Sequence, residues 1–188
     1  MHRTVSDAIF AGNTVRYGNL SSRSPDSETY GGVHLLVHPN ASSSIFNVWV
    51  ENNLFDDGGI DGRQGGVDIT ISNHDFESGS IRDIAIRNNT VSGRQQARSF
   101  SSSLWLEALS FVHVEGNSFD APASRMRGMY LRDVSDVVIV GNQVVQRYMP
   151  ALTVTSRHLK SRGNVLAANN ISALPGSIEL EPGSSWRY

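Results

Sequence analysis

The sequence predicts an all-β chain wound as a right-handed parallel β-helix of about six coils, with little or no helix. Three observations carry that expectation. One phrase recurs along the 188 residues: alternating apolar residues, a small or amide residue, an asparagine, a spacer and another apolar residue. A second alternating run stands upstream of each later copy, and no segment sustains the 3.6-residue period of a helix. The later copies follow one another at 22 to 28 residues, a solenoid spacing that leaves no room for helices between strands.

In chain order the copies read Ala8-Ile-Phe-Ala-Gly-Asn13-Thr-Val, Val48-Trp-Val-Glu-Asn-Asn53-Leu-Phe, Ile84-Ala-Ile-Arg-Asn-Asn89-Thr-Val and Val112-His-Val-Glu-Gly-Asn117-Ser-Phe. Val137-Val-Ile-Val-Gly-Asn142-Gln-Val and a degenerate Leu159-Lys-Ser-Arg-Gly-Asn164-Val-Leu complete the series. The upstream runs are Val33–Val37, Val67–Ile71, Leu104–Glu107, Met129–Arg132, Leu152–Thr155 and Ile178–Glu181, so each coil should hold at least two short strands. A Greek-key sandwich also breaks into short strands, but it does not return an asparagine at one fixed offset. That asparagine is expected at a corner. There it tolerates a left-handed backbone, and its amide reaches the coils above and below. Asn53, Asn89, Asn117, Asn142 and Asn164 are therefore read as an internal ladder with no catalytic role.

Size and charge narrow the function. The chain suits one domain, residues 1–188, with 39% hydrophobic residues and a formal net charge of -2. That balance gives no electrostatic reason to expect nucleic acid or an anionic membrane as partner. Lys160 is the single lysine among 16 basic residues, and arginine suits carboxylates and sugar hydroxyls better than an ammonium does. Without cysteine there is no disulfide, thiolate metal site or cysteine nucleophile. Met1–Asn13 lacks the basic-then-apolar pattern of a signal peptide, and no apolar run reaches membrane-spanning length.

The phrase as it stands in Ile81-Arg-Asp-Ile-Ala-Ile-Arg-Asn-Asn-Thr-Val91 resembles the repeat of the pectin-lyase-like right-handed β-helix superfamily, and the likeness covers about residues 5 to 181. That superfamily holds polysaccharide lyases, glycoside hydrolases, uronan epimerases and phage tailspikes. The resemblance implies a polysaccharide ligand and an extracellular or virion-surface setting, without fixing a reaction. Of the polygalacturonase signatures (Asn-Thr-Asp, an Asp-Asp pair, Gly-His-Gly and Arg-Ile-Lys) only Asp56-Asp57 has a counterpart, and one lysine leaves little for a lyase base.

If the strands stack in register, the upstream strand presents two outward files. One runs His34, Asp68, Trp105, Tyr130, Thr153, Glu179, and the next Leu36, Thr70, Glu107, Arg132, Thr155, Glu181. Aromatic faces beside carboxylates and arginine suit a sugar: rings stack on its apolar face while polar groups take its hydroxyls. His34, Asp68, Trp105, Glu107, Tyr130 and Arg132, with Arg63 from a neighbouring loop, form the expected ligand-binding set. The other strand gives Trp49, Ala85, His113, Val138, Lys160 and then Glu51, Arg87, Glu115, Val140, Arg162. The alternating charges read as a ladder of ion pairs, and the outward Val138 and Val140 suggest cover by a loop or another subunit.

The longest interruptions lie at Ser21–Gly32, Asp56–Gly66 and Ser92–Ser103. Asp56, Asp57 and Asp61 are candidate acid-base carboxylates; their spacing is not that of a calcium loop, so no metal or cofactor is assigned, calcium being the one ion considered. His74 with Asp75, and His113 with Glu115, are candidate base-acid pairs whose default reading is that the histidines are polar residues in contact with solvent. The expected function is a polysaccharide-recognising module of tailspike or surface-fibre type. Alternatives are a small lyase, hydrolase or epimerase, and a structural spacer in a virion or surface layer. Because the repeat runs nearly from end to end without a cap, its ends should be covered by missing sequence, by other structural proteins, or by self-association, a trimer being the expected homo-oligomer.

Overall fold

The structure is a computed structural model that describes residues 4–16, 30–37, 43–56, 67–73, 80–92, 102–120, 127–146, 150–156, 162–172 and 178–187. Each coil contributes three strands. The first is β1 (Thr4–Ala11), β2 (Thr14–Arg16) and β3 (Tyr30–Val37); the second β4 (Ser44–Glu51), β5 (Leu54–Asp56) and β6 (Val67–Asn73). The third is β7 (Ser80–Arg87), β8 (Thr90–Ser92) and β9 (Ser102–Glu107); the fourth β10 (Ser110–Glu115), β11 (Ser118–Asp120) and β12 (Arg127–Arg132). The fifth is β13 (Ser135–Val140), β14 (Gln143–Val145) and β15 (Leu152–Thr155); the sixth β16 (Asn164–Ala167), β17 (Asn170–Ser172) and β18 (Ile178–Leu180), after which β19 (Trp186–Arg187) begins a seventh turn.

Equivalent strands stack into three parallel sheets: a long sheet β1-β4-β7-β10-β13-β16-β19, a narrow sheet β2-β5-β8-β11-β14-β17 and a third sheet β3-β6-β9-β12-β15-β18. This is a right-handed parallel β-helix, the hand that strand twist imposes on parallel connections. The described residues contain no helix.

Alternation builds the core. From the third sheet Ile69, Ile71, Leu104, Leu106, Met129 and Leu131 point inward; from the long sheet Val50, Ile86, Val114 and Ile139; from the narrow sheet Phe55, Val91, Phe119 and Val144. Each narrow strand has three residues, of which the central one enters the core. This is the apolar residue after the spacer in the recurring phrase.

The corner between the long and narrow sheets departs from expectation in two ways. The left-handed residue is the one before the ladder asparagine: Gly12, Asn52, Asn88, Gly116, Gly141 and Ala168 all have φ between 52° and 67°. This explains the small or amide residue in the phrase, since glycine and asparagine adopt that conformation most readily. The next residue then turns its amide inward, and each ladder asparagine binds the next, Nδ2 to Oδ1. Those bonds are 3.1 Å from Asn13 to Asn53, and 2.9 Å from Asn53 to Asn89, Asn89 to Asn117, Asn117 to Asn142 and Asn142 to Asn169.

Asn164 is not in that ladder; Asn169 is. Asn164 opens β16, where its Oδ1 accepts the backbone N–H of Val137 at 3.0 Å. The sixth copy of the phrase is therefore Val165-Leu-Ala-Ala-Asn169-Asn-Ile171, and the last interval is 27 residues.

A second file of left-handed residues crosses the long sheet in mid-strand: Asp7, Asn47, Asp83, Phe111, Asp136 and Gly163, with φ between 54° and 68°. The pairing steps over each, so Ser6 pairs with Phe46 and Ala8 with Val48. Period-two alternation breaks there, and Ile45 and Val48, three residues apart, both enter the core. Gly163 is needed at its place twice over: its φ is 68°, and a Cβ would strike the Asp136 carboxylate. Phe111 is the exception in an otherwise Asx and Gly file, and its ring is 57% exposed.

Candidate ligand-binding face

The third sheet is pinned from behind by its inward Leu and Met residues, which sets its outward files. Register gives His34, Thr70, Trp105, Tyr130, Thr153 and Glu179 in one file, and Leu36, Ser72, Glu107 and Arg132 in the next, continued by Thr155. The four residues expected at the centre, Trp105, Tyr130, Glu107 and Arg132, thus share one face. Asp68 does not join them as expected: β6 is displaced by one pleat, so Thr70 stands beside Trp105 and Ser72 beside Glu107. His34 holds its expected place by register. The missed residues are Thr70 and Ser72, both buried. Aligning the apolar runs at their last residues, Ile71 with Leu106, would have found them.

The rings of Trp105 and Tyr130 lie 4.5 Å apart, tilted 45°. Arginine flanks both: the Arg132 Cζ is 5.7 Å from the indole centroid, and the Arg127 Cζ is 5.5 Å from the phenol centroid. Each such contact is worth about 0.5–1 kcal/mol at partly exposed sites. Glu107 knits the cluster together. Only 4% exposed, it accepts hydrogen bonds from Ser72 Oγ at 2.9 Å and Trp105 Nε1 at 3.2 Å, and it pairs with Arg132. The Tyr130 hydroxyl shares a hydrogen bond with Thr155 Oγ1 at 3.0 Å. The Glu107 carboxylate thus serves its own neighbours, fixing the indole and one guanidinium, while the half-buried rings and the arginines face outward. Chemically the arrangement offers ring surface and guanidinium donors, with its carboxylate already engaged.

The candidate acid-base residues lie elsewhere. Asp56 ends β5 on the narrow sheet, where Ser92 Oγ donates to its Oδ1 at 2.9 Å. Asp57, Asp61, Arg63, His74 and Asp75 lie outside the described residues, as does Lys160. On the long sheet Val165 and Ala167, rather than Lys160 and Arg162, stand beside Val138 and Val140. His113 and Glu115 do meet, Nε2 to Oε2 at 3.8 Å, and Arg87 approaches the same carboxylate at 3.6 Å. Among the described residues no three His, Asp or Glu side chains cluster as metal ligands. No protein-family model matches the chain, and neither a curated protein nor a solved structure matches it.

Proposed function

We propose that the outer face of the third sheet recognises a polysaccharide, and that the chain is a recognition module of tailspike or surface-fibre type within the pectin-lyase-like superfamily. The observation that carries this reading is the stacked Trp105–Tyr130 pair with a guanidinium against each ring. Aromatic surface takes the apolar face of a sugar, and arginine takes its hydroxyls and carboxylates. The repeat phrase supports the superfamily, whose members act outside the cell or on virions. Asp56 on the narrow sheet and the His113–Glu115 pair on the long sheet stand apart from this face, which favours binding over catalysis.

The test is affinity electrophoresis and calorimetry with acidic and neutral polysaccharides, alongside assays for reducing ends and for unsaturated products. The expected result is binding to at least one of these polymers without product. Trp105→Ala or Tyr130→Ala should weaken it about 10-fold, the effect of losing about 1.5 kcal/mol of aromatic contact. Failure of every glycan to bind refutes recognition, and product release returns the chain to the lyase, hydrolase or epimerase reading.

A further inference from the structure

A different face carries a second site. The outer surface of the long sheet exposes large apolar side chains: Ile9 is 59% and Trp49 43% exposed, and both lie in one file that continues through Ala85, His113, Val138 and Val165. The next file runs Ala11, Glu51, Arg87, Glu115, Val140, Ala167.

Read backwards, these files largely complement themselves. Reversing the coil order lays Ile9 on Val165, Trp49 on Val138, Ala85 on His113, Ala11 on Ala167 and Arg87 on Glu115, with Glu51 over Val140 the one mismatch. Such reversal is what a twofold axis parallel to the strands does to two facing copies, because an isologous contact must match a surface to its own inverse. With parallel coil axes and the twofold axis along the second file, like charges would meet instead, Glu51 on Glu51 and Arg87 on Arg87. The face is also large enough. Six strands at about 4.8 Å, by roughly 20–26 Å of strand, give about 600–750 Å², close to the roughly 800 Å² per partner of a standard interface.

We propose that the outer face of the long sheet is a twofold interface joining two copies of this chain with antiparallel coil axes. Trp49 then packs on the partner's Val138, and Arg87 pairs with the partner's Glu115, closing a square of four alternating charges around the axis. The contact is independent of glycan recognition on the third sheet. A closed trimer, whose contacts are heterologous, would leave this palindrome unused.

The test uses the purified full chain, and the absence of native cysteine makes it clean. Light scattering and sedimentation should give twice the 20.5 kDa chain mass. Trp49→Glu should yield a monomer with unchanged far-ultraviolet circular dichroism. Arg87→Glu should weaken the dimer at least 10-fold, and adding Glu115→Arg should restore it. Trp49→Cys mixed with Val138→Cys should form a disulfide-linked dimer that neither variant forms alone. Within one chain the two positions are three strand spacings, about 14 Å, apart, beyond the reach of a disulfide. A wild-type monomer, a trimer, a dimer that survives Trp49→Glu, or cross-linking by either cysteine variant alone overturns the proposal.

Discussion

Replacing Asn117 by alanine should do far more damage than the same change at Asn13, although both belong to one ladder. Asn117 sits in mid-stack with 1% exposure. Its Oδ1 accepts the backbone N–H and the Nδ2 of Asn89, each at 2.9 Å; its Nδ2 reaches the Asn142 Oδ1 and the Ile86 carbonyl, each at 2.9 Å, and the Glu115 carbonyl at 3.1 Å. Alanine removes all of these and strands the buried Asn89 N–H. With about 1 kcal/mol net for each of these five hydrogen bonds and about 1–3 kcal/mol for a buried donor left alone, the loss is about 6–8 kcal/mol. That approaches the whole stability of a domain, about 5–15 kcal/mol. Asn13, at the exposed first coil, gives up only the Nδ2 bonds to Asn53 at 3.1 Å and to the Ala11 carbonyl at 3.0 Å, and should cost about 1 kcal/mol. Urea titration followed by circular dichroism measures both. In a solenoid the mid-stack lesion should also separate the melting of the coils on either side, broadening the transition. Equal losses at the two positions, within about 1 kcal/mol, would refute the reasoning.

Three further outcomes follow from the described geometry. Phe111→Asn should raise the urea midpoint by the equivalent of about 1 kcal/mol, because it relieves a bulky side chain at φ 55° in a file whose other members are Asx or Gly. Gly163→Ala should lower stability by about 2 kcal/mol in thermal melts, combining left-handed strain with the clash against Asp136. Glu107→Ala should cost about 2 kcal/mol in urea and change the near-ultraviolet circular dichroism of the Trp105–Tyr130 pair. The loss leaves the indole N–H, Ser72 and Arg132 without their shared acceptor, Arg132 being partly hydrated already.

Much of this architecture was legible because one conformational demand recurs at one place in every coil. Gly12, Asn52, Asn88, Gly116 and Gly141 announce the corner, and the following asparagines announce the ladder. The misreading of Asn164 has the same origin. The long sheet carries two left-handed files, both of which favour glycine and Asx, so Gly163-Asn164 imitates the corner while belonging to the mid-strand kink. The true sixth corner hides behind Ala168, a residue that advertises no left-handed turn. Strand parity was read correctly in the third sheet, where alternation is unbroken from Leu104 to Arg132's file. The one-pleat slip of Asp68 arose because a shift of two residues leaves every side chain on its own face, so the hydrophobic pattern cannot detect it. The reversal symmetry of the long sheet is not legible in the sequence because Val165, not Lys160, stands beside Val138.

The amide ladder has a direction. In each coil the asparagine's backbone N–H and one side-chain N–H reach forward to an oxygen in the following coil, as Asn53 does to Asn89 and Asn89 to Asn117. A chain emerging from the ribosome N-terminus first therefore carries at its growing tip an asparagine whose backbone N–H points at the coil still to come. Each new turn would meet a backbone N–H already aimed at its asparagine.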